Sequence, residues 1–321
     1  MQYLRRLPYY AVIAFLVYMP LHIFLSQSLS LLTGGLEVWK VAKDAALALM
    51  VAFTICLVFW EKKGSRAFWT LTGLAVLYGV LHLAVWAFNR DIYERSAVLG
   101  MVMNLRLPLF AILGYGAYLL APSKFVFSSL IKIVLGVSLL VAVLGLLQWL
   151  LPKDILTYVG YSVERGVRPA FFIDDHPDFP RIMSTLREPN SLGAYLLVPI
   201  GILTGLLLEV RRRRLWLGGL LAVHVLAVYL THSRSALLGM GLVMALVVLW
   251  RYRVQCVQMI KRWWPVLASV VVVLAAGLYS VRNQPFVQGW ITHSTPDASV
   301  DDLDSNDYHW LFFRRGVEGI M

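Results

Sequence analysis

The stretch Arg181-Ile-Met-Ser-Thr-Leu-Arg-Glu-Pro-Asn-Ser-Leu-Gly193 runs from a charged, polar segment straight into a long apolar one. Residues 191–210, which complete it, carry a single charged side chain, Glu209. About 20 apolar residues in a helix reach about 30 Å, the thickness of a bilayer's hydrocarbon core. Working outward, comparable runs occur at roughly 9–28, 41–60, 67–88, 97–120, 127–151, 215–231, 235–250 and 264–281. The expected fold is all-α: one polytopic membrane domain over residues 1–321, with about nine transmembrane helices and two long outer loops, 152–189 and 282–321. A closed barrel would show short alternating segments instead.

Composition points the same way. The 321 residues are 59% hydrophobic and 15% charged, with mean hydropathy +0.70, whereas soluble domains sit near half apolar and a quarter charged. The net charge of +11 invites a nucleic-acid reading, but its distribution excludes nucleic acid as the partner. With the N-terminus inside, segments 1–8, 61–66, 121–126, 211–214 and 251–263 hold Arg5, Arg6, Lys62, Lys63, Arg66, Lys124, Arg211 to Arg214, Arg251, Arg253, Lys261 and Arg262. Their one acid is Glu61, and Glu209 lies close by. The excess charge is therefore an orientation signal toward a bilayer. Met1 to Arg6 reads as the flank of a retained first helix. Ser184 falls on the outer side, where a cysteine is expected to react with an impermeant thiol reagent. Cys56 and Cys256 have neither metal-ligand nor disulfide spacing.

Pro189-Asn190 reads as a helix start, because Pro constrains the residue before it and Asn is a favoured N-cap. The first turn presents free N–H groups and a positive dipole end, with Arg187 just upstream. That combination suits a phosphate; a plain capped helix with a surface arginine is the simpler alternative. One hairpin later comes Thr231-His-Ser-Arg-Ser235. The flanking spans have about 16 residues each, or about 24 Å of helix, short of the hydrocarbon core. Their shared turn is expected below the surface, with Ser233 capping the second helix and Arg234 in its first turn. There Arg234 lines a cavity or snorkels outward.

Arg106, followed by Leu107-Pro108 within a span, calls for a carboxylate, a backbone carbonyl or a bound anion as partner. The alternative is a proline kink pinned by an internal ion pair. Lys40, Lys43 and Asp44 either join the same cavity or form an ordinary interfacial flank. His309 in the second loop is the candidate base, or a surface histidine; Arg314 and Arg315 follow it, and Arg315 is a further candidate for substrate binding. His22, His82 and His224 lie in apolar spans and read as satisfied core residues. Asp302-Leu-Asp304 has the spacing of a metal pair but sits in a dense acidic loop, so no metal site is assigned. Nucleotide-binding, serine-hydrolase and zinc-protease motifs are missing from the sequence.

Arg187-Glu-Pro-Asn-Ser-Leu-Gly193, an apolar helix, a basic turn and then Thr231-His-Ser-Arg-Ser-Ala-Leu-Leu-Gly239 resemble the core of the O-antigen ligase and O-antigen polymerase superfamily. Gly145-Leu-Leu-Gln148 ahead of the first long loop, and a late loop with a histidine and arginines, fit as well. The resemblance covers roughly residues 100–321. It implies a multi-helix enzyme of the bacterial inner membrane that acts on the periplasmic face, with no metal or cofactor. Such an enzyme moves a glycan from undecaprenyl diphosphate to a lipid, glycan or protein acceptor, in lipopolysaccharide or polysaccharide biosynthesis. The resemblance also implies that Arg187 and Arg234 contact the donor diphosphate and that a histidine of the large loop acts near the acceptor. The family's glycine-rich segment and its histidine would fall beyond Met321, so the chain is expected to be truncated and His309 to be a neighbour of the catalytic histidine. The chemistry agrees: a departing diphosphate gathers negative charge that fixed arginines and helix N-termini stabilise.

A transporter or flippase for an anionic lipid or solute is the rival reading, carried by Pro108 beside Arg106 and by the short spans after Leu215. No repeat relates the two halves, and the polar groups gather on one face, which favours the enzyme. A non-catalytic partner in a cell-envelope assembly is the third class.

Overall fold

The computed structural model describes residues 2–88, 94–123, 127–173 and 176–255, with scattered helical positions between 269 and 280. It divides into two compact units, Met1–Arg251 and Tyr252–Met321. In the second unit, the expected span 264–281 is described only at those scattered positions, and His309, Arg314, Arg315 and the loop 282–321 lie outside the described residues.

The first unit is helical for a physical reason: in lipid, a helix satisfies every backbone N–H and C=O from within. Its helices are α1 (Gln2–Tyr18), α2 (His22–Thr33), α3 (Leu36–Trp60), α4 (Arg66–Phe88), α5 (Glu94–Leu120), α6 (Phe127–Leu150), α7 (Pro189–Glu209), α8 (Arg214–Leu230) and α9 (Arg234–Arg251). Among the described residues, seven helical runs are long and apolar enough to cross a membrane, and α8 is a shorter apolar helix. The protein is therefore a membrane-embedded helical bundle. The first run differs most from expectation, because α1 and α2 join through a 3-10 turn, Met19–Leu21, into one run over Tyr3–Thr33. Gly34 and Gly35, both at positive φ, then turn the chain into α3. Glycine reaches that backbone region without a steric penalty.

Two groups of helices carry separate cores. Tyr9 and Phe15 of α1 pack with Leu47 and Val51 of α3, Phe68 of α4 and Leu113 of α5. Val141 of α6, Leu192 and Leu196 of α7, Val228 of α8 and Ala236 of α9 form the other. The α7–α9 contact is close because glycines sit in it, as small residues do where membrane helices approach. A Cβ at Gly193 would collide with that of Ala236, and one at Gly201 would lie 2.9 Å from Val243 Cγ1.

The 152–189 segment is built rather than loose. A 3-10 turn, Ile155–Val159, leads to a short antiparallel hairpin, β1 (Phe171–Ile173) and β2 (His176–Arg181). Leu156, Tyr161, Val167 and Met183 form a small core against Ile23 and Phe24 of α2. Arg165 donates to the Ser30 hydroxyl, and Gly160 lies so close to α2 that a Cβ there would be 2.9 Å from the Gln27 carbonyl oxygen. The segment is thus fastened along α2.

Candidate functional site

The polar turn between β2 and α7 is drawn down among the helices. Gln148 of α6 accepts, at Oε1, the N–H groups of Met183 and Ser184 at 3.0 and 2.9 Å. Ser184 Oγ donates to the Val141 carbonyl at 2.6 Å, and Thr185 Oγ1 to the Pro20 carbonyl at 2.7 Å. Val141 precedes the end of α6 by nine residues, about 13 Å of helix. Gly145 makes room, since a Cβ there would be 3.1 Å from Ile182 Cδ1. Ser184 takes a left-handed backbone, φ 55°, and is only 3% exposed. It is therefore buried under the turn, and a cysteine there would be shielded from reagent, contrary to the expectation from sequence.

That turn delivers two groups of opposite use. Asn190 was expected to cap α7, but the helix begins one residue earlier, at Pro189, with Glu188 as N-cap in an extended conformation. Proline imposes that extended state on its predecessor and fits the first helical position. Asn190 instead accepts, at Oδ1, from Arg181 Nη2 at 3.1 Å, while Arg181 Nε donates to the Thr231 carbonyl at 2.9 Å. The turn leading into α7 and the turn 231–235 are thereby joined by an arginine that the helix-start signals do not single out.

In the turn 231–235, Thr231 and Ser233 are buried, His232 and Arg234 half-buried and Ser235 exposed. Thr231 is fully enclosed, its hydroxyl donating to the Val228 carbonyl at 2.6 Å and accepting the Ser233 N–H at 3.2 Å. His232 has a left-handed backbone, φ 49°. Burial, and then the nearby charge of Arg181, lower its pKa below the ordinary 6.5. Ser233 Oγ accepts the Ala236 N–H at 3.4 Å and pairs with Ser235 Oγ at 3.2 Å. Ser233 is 2% exposed, and its hydroxyl is engaged in the helix cap. Arg234 opens α9, half-buried.

Arg187 goes elsewhere. It lines a cavity of about 500 Å³ with His22, Ser26 and Gln27 of α2, Glu37, Lys40, Lys43 and Asp44 of α3, and Arg106 of α5. That volume is within the ~300–1,000 Å³ of small-molecule sites. Arg106 meets a carboxylate: its Nε and Nη2 donate to the two Asp44 oxygens at 2.7 Å each. Lys43 Nζ adds a contact to Asp44 Oδ2 at 3.2 Å. Lys40 pairs with Glu37 at 3.1 Å. Arg187 has no hydrogen bond or ion pair among the described residues. Four cations against two carboxylates leave the walls with surplus positive charge. Arg234 is not among the lining residues.

A smaller cavity of about 280 Å³ adjoins this one, sharing Gly166, Val167 and Arg187 and adding Arg168, a second cation missed in the sequence. Ser184 and Thr185, just before Arg187, border an apolar pocket of about 220 Å³ lined by Phe24, Leu144, Leu147 and Leu151. His22, expected in a core, faces the charged cavity. Its Nδ1 lies 2.7 Å from the Met19 carbonyl; a carbonyl only accepts, so Nδ1 carries the proton and Nε2 is the acceptor of the neutral ring. His224 is buried as expected, between Ser138 Oγ and the Leu220 carbonyl. His82 is half-buried and pairs with Asn104.

No protein-family model, curated protein or solved structure matches this chain.

Proposed function

We propose that the protein is a membrane glycosyltransferase that takes a glycan from undecaprenyl diphosphate and passes it to an acceptor hydroxyl, as an O-antigen ligase or polysaccharide polymerase does. The observation that carries this reading is Arg187: a guanidinium without a partner among the described residues, on the wall of a positively charged cavity. An apolar pocket touches the same short turn, two residues away, so a ligand with a charged head and a hydrocarbon tail fits both surfaces. Arg187 and Arg106 then occupy the place of diphosphate-binding groups. In the reaction the bond from the sugar carbon to the phosphate oxygen breaks, and the electron pair leaves with the diphosphate. The acceptor oxygen bonds to that carbon and gives its proton to a base, for which His309 is the sequence candidate. Arg187 lowers the barrier because the charge it faces grows as the bond breaks.

In this reading the membrane is the bacterial inner membrane, the N-terminus is cytoplasmic, and the Arg187 end opens to the periplasm. A cysteine at exposed Val163 then reacts with an impermeant thiol reagent in intact cells; labelling only after permeabilisation reverses the orientation. The activity is tested by complementing ligase-deficient and polymerase-deficient strains. Arg187→Ala, at equal membrane level, should lose about 10²-fold in glycan transfer, and Arg187→Lys should keep part of it. Undiminished transfer by Arg187→Ala overturns the proposal. The transporter reading keeps one observation, the paired charges of Arg106 and Asp44, since such pairs also mark solute paths. Uptake or flipping of an anionic lipid by vesicles of the purified protein, without glycan transfer, would decide for it.

A further inference from the structure

Among the described residues that line the charged cavity, His22 is the one whose side chain ordinarily changes charge near neutral pH. The charged groups around it are Glu37, Lys40, Lys43 and Asp44 of α3, Arg106 of α5 and Arg187 before α7. Tyr18 of α1 packs beside the ring, with centroids 6.4 Å apart. All of these ordinarily keep one charge state between about pH 5 and 8. The Met19 carbonyl takes both the backbone N–H and the Nδ1–H of His22, which fixes the ring and leaves the lone pair on Nε2. Nε2 has no hydrogen-bond partner among the described residues, and it is not enclosed. It is an accessible acceptor on the cavity wall.

The wall charges decide what that acceptor does. Lys40, Lys43, Arg106 and Arg187 face Glu37 and Asp44, four positive groups against two negative, which leaves two positive charges. A glycosylated polyprenyl diphosphate is esterified at both ends, so each phosphate carries one negative charge and the head group matches the walls. When the sugar leaves, the electron pair of the broken bond stays on the terminal phosphate, whose second ionisation lies near pH 6, at about the value of other phosphate monoesters. The free diphosphate then carries a third negative charge, and the walls have no third positive one. An imidazolium at His22 supplies it, with Nε2–H donating to a phosphate oxygen in a charge-assisted hydrogen bond. In the empty cavity the same imidazolium would only face uncompensated cations.

We infer that the cavity binds a free diphosphate head group together with one proton, held on His22 Nε2, and binds the glycosylated diphosphate without one; the choice of ligand rests on the glycosyltransferase reading above. His22 is a product-binding residue, and the acceptor's own proton goes to the base of the transfer step. Transfer releases one proton as one negative charge appears on the diphosphate, so uptake of one by His22 closes the charge count.

The test uses the full chain in lipid nanodiscs and two probes, farnesyl diphosphate and its diester with one hexose. Titration calorimetry at about pH 7.5, in buffers of different ionisation heat, counts the protons taken up on binding. Wild-type protein should take up most of one proton with farnesyl diphosphate and almost none with the diester. His22→Asn keeps a donor toward the Met19 carbonyl but lacks Nε2. It should lose the uptake and bind farnesyl diphosphate about tenfold more weakly, the loss of one charge-assisted hydrogen bond, while the diester loses far less. Equal uptake with the two probes, or uptake that persists in His22→Asn, overturns the inference, because the proton then sits on the phosphate or on another group. Should His22→Asn fail to fold, His22→Gln gives the same two readings. If wild-type protein binds neither probe, the glycosyltransferase reading falls and the inference with it. Binding of both probes with no difference in uptake overturns the inference alone and leaves that reading standing.

Discussion

Arg181 Nε donates to the Thr231 carbonyl at 2.9 Å, and through that bond the chain entering α7 is tied to the turn that opens α9. Its Nη2 reaches Asn190 at 3.1 Å, so one side chain spans both turns. A hydrogen bond from a charged group contributes about 1.5–3 kcal/mol. Arg181→Met should therefore lower the thermal midpoint of the detergent-purified protein clearly, and Asn190→Ala should lower it less, because the Thr231 bond survives. Equal shifts for the two variants would show that the Thr231 bond is not the stronger tie.

His232 makes the same junction sensitive to acid. Burial and the Arg181 charge lower its pKa in the folded protein below 6.5. The folded state then holds fewer protons than the unfolded one, so stability rises with pH in that window. The contribution is complete above about pH 6.5 and is lost as pH falls through the lowered folded pKa. Thermal midpoints measured from pH 7.5 downward should drop in wild type, and His232→Gln should flatten the curve. Arg181→Met should make the drop smaller and end it at a higher pH, since one cause of the depressed pKa is gone.

The membrane helices were legible because lipid permits few alternatives: expected run 127–151 is Phe127–Leu150, and 235–250 is Arg234–Arg251. The first run was cut short in the sequence, where Arg5, Arg6 and Pro8 interrupt the apolar signal, although the helix continues through them. The hairpin was hidden because His176-Pro-Asp-Phe-Pro-Arg181 reads as loop, prolines being poor ladder donors. Asn190 misled because a favourable cap residue followed a proline, and proline at the first helical position decides the start. The readable sign of the polar cavity wall was Ser26-Gln-Ser28 inside the apolar run 9–28. That Arg187 shares a cavity with Arg106 and Lys43 depends on how α3 and α5 pack against a distant segment, which no local pattern encodes.

The bond between Arg106 and Asp44 carries its own prediction. Asp44 is the carboxylate that balances Arg106 and Lys43, at 2.7 and 3.2 Å. Removing one partner of this half-buried pair leaves an uncompensated charge, at a cost below the about 3 kcal/mol of a fully buried pair because solvent screens it. Asp44→Asn should therefore destabilise the bundle measurably, and the double variant Asp44→Asn with Arg106→Gln should recover part of the loss. Denaturation of the four proteins of this cycle measures it; additive losses would show that the two charges are not coupled.

Gln148 separates the fold from the chemistry most sharply. Its Oε1 accepts two backbone N–H groups, from Met183 and Ser184, and so places the turn that ends in Arg187. Gln148→Leu leaves both donors buried without an acceptor, about 1–3 kcal/mol each. Gln148→Glu keeps an acceptor at the same reach. Under the proposed glycosyltransferase function, the expected order of glycan transfer is wild type, then Gln148→Glu, then Gln148→Leu, with the last reduced by tenfold or more because Arg187 is displaced. Gln148→Leu should also expose the turn, so that a cysteine at Ser184, shielded in the wild-type background, becomes reactive to a thiol reagent. If that cysteine stays shielded while transfer falls, Gln148 acts on the ligand directly and not through the turn.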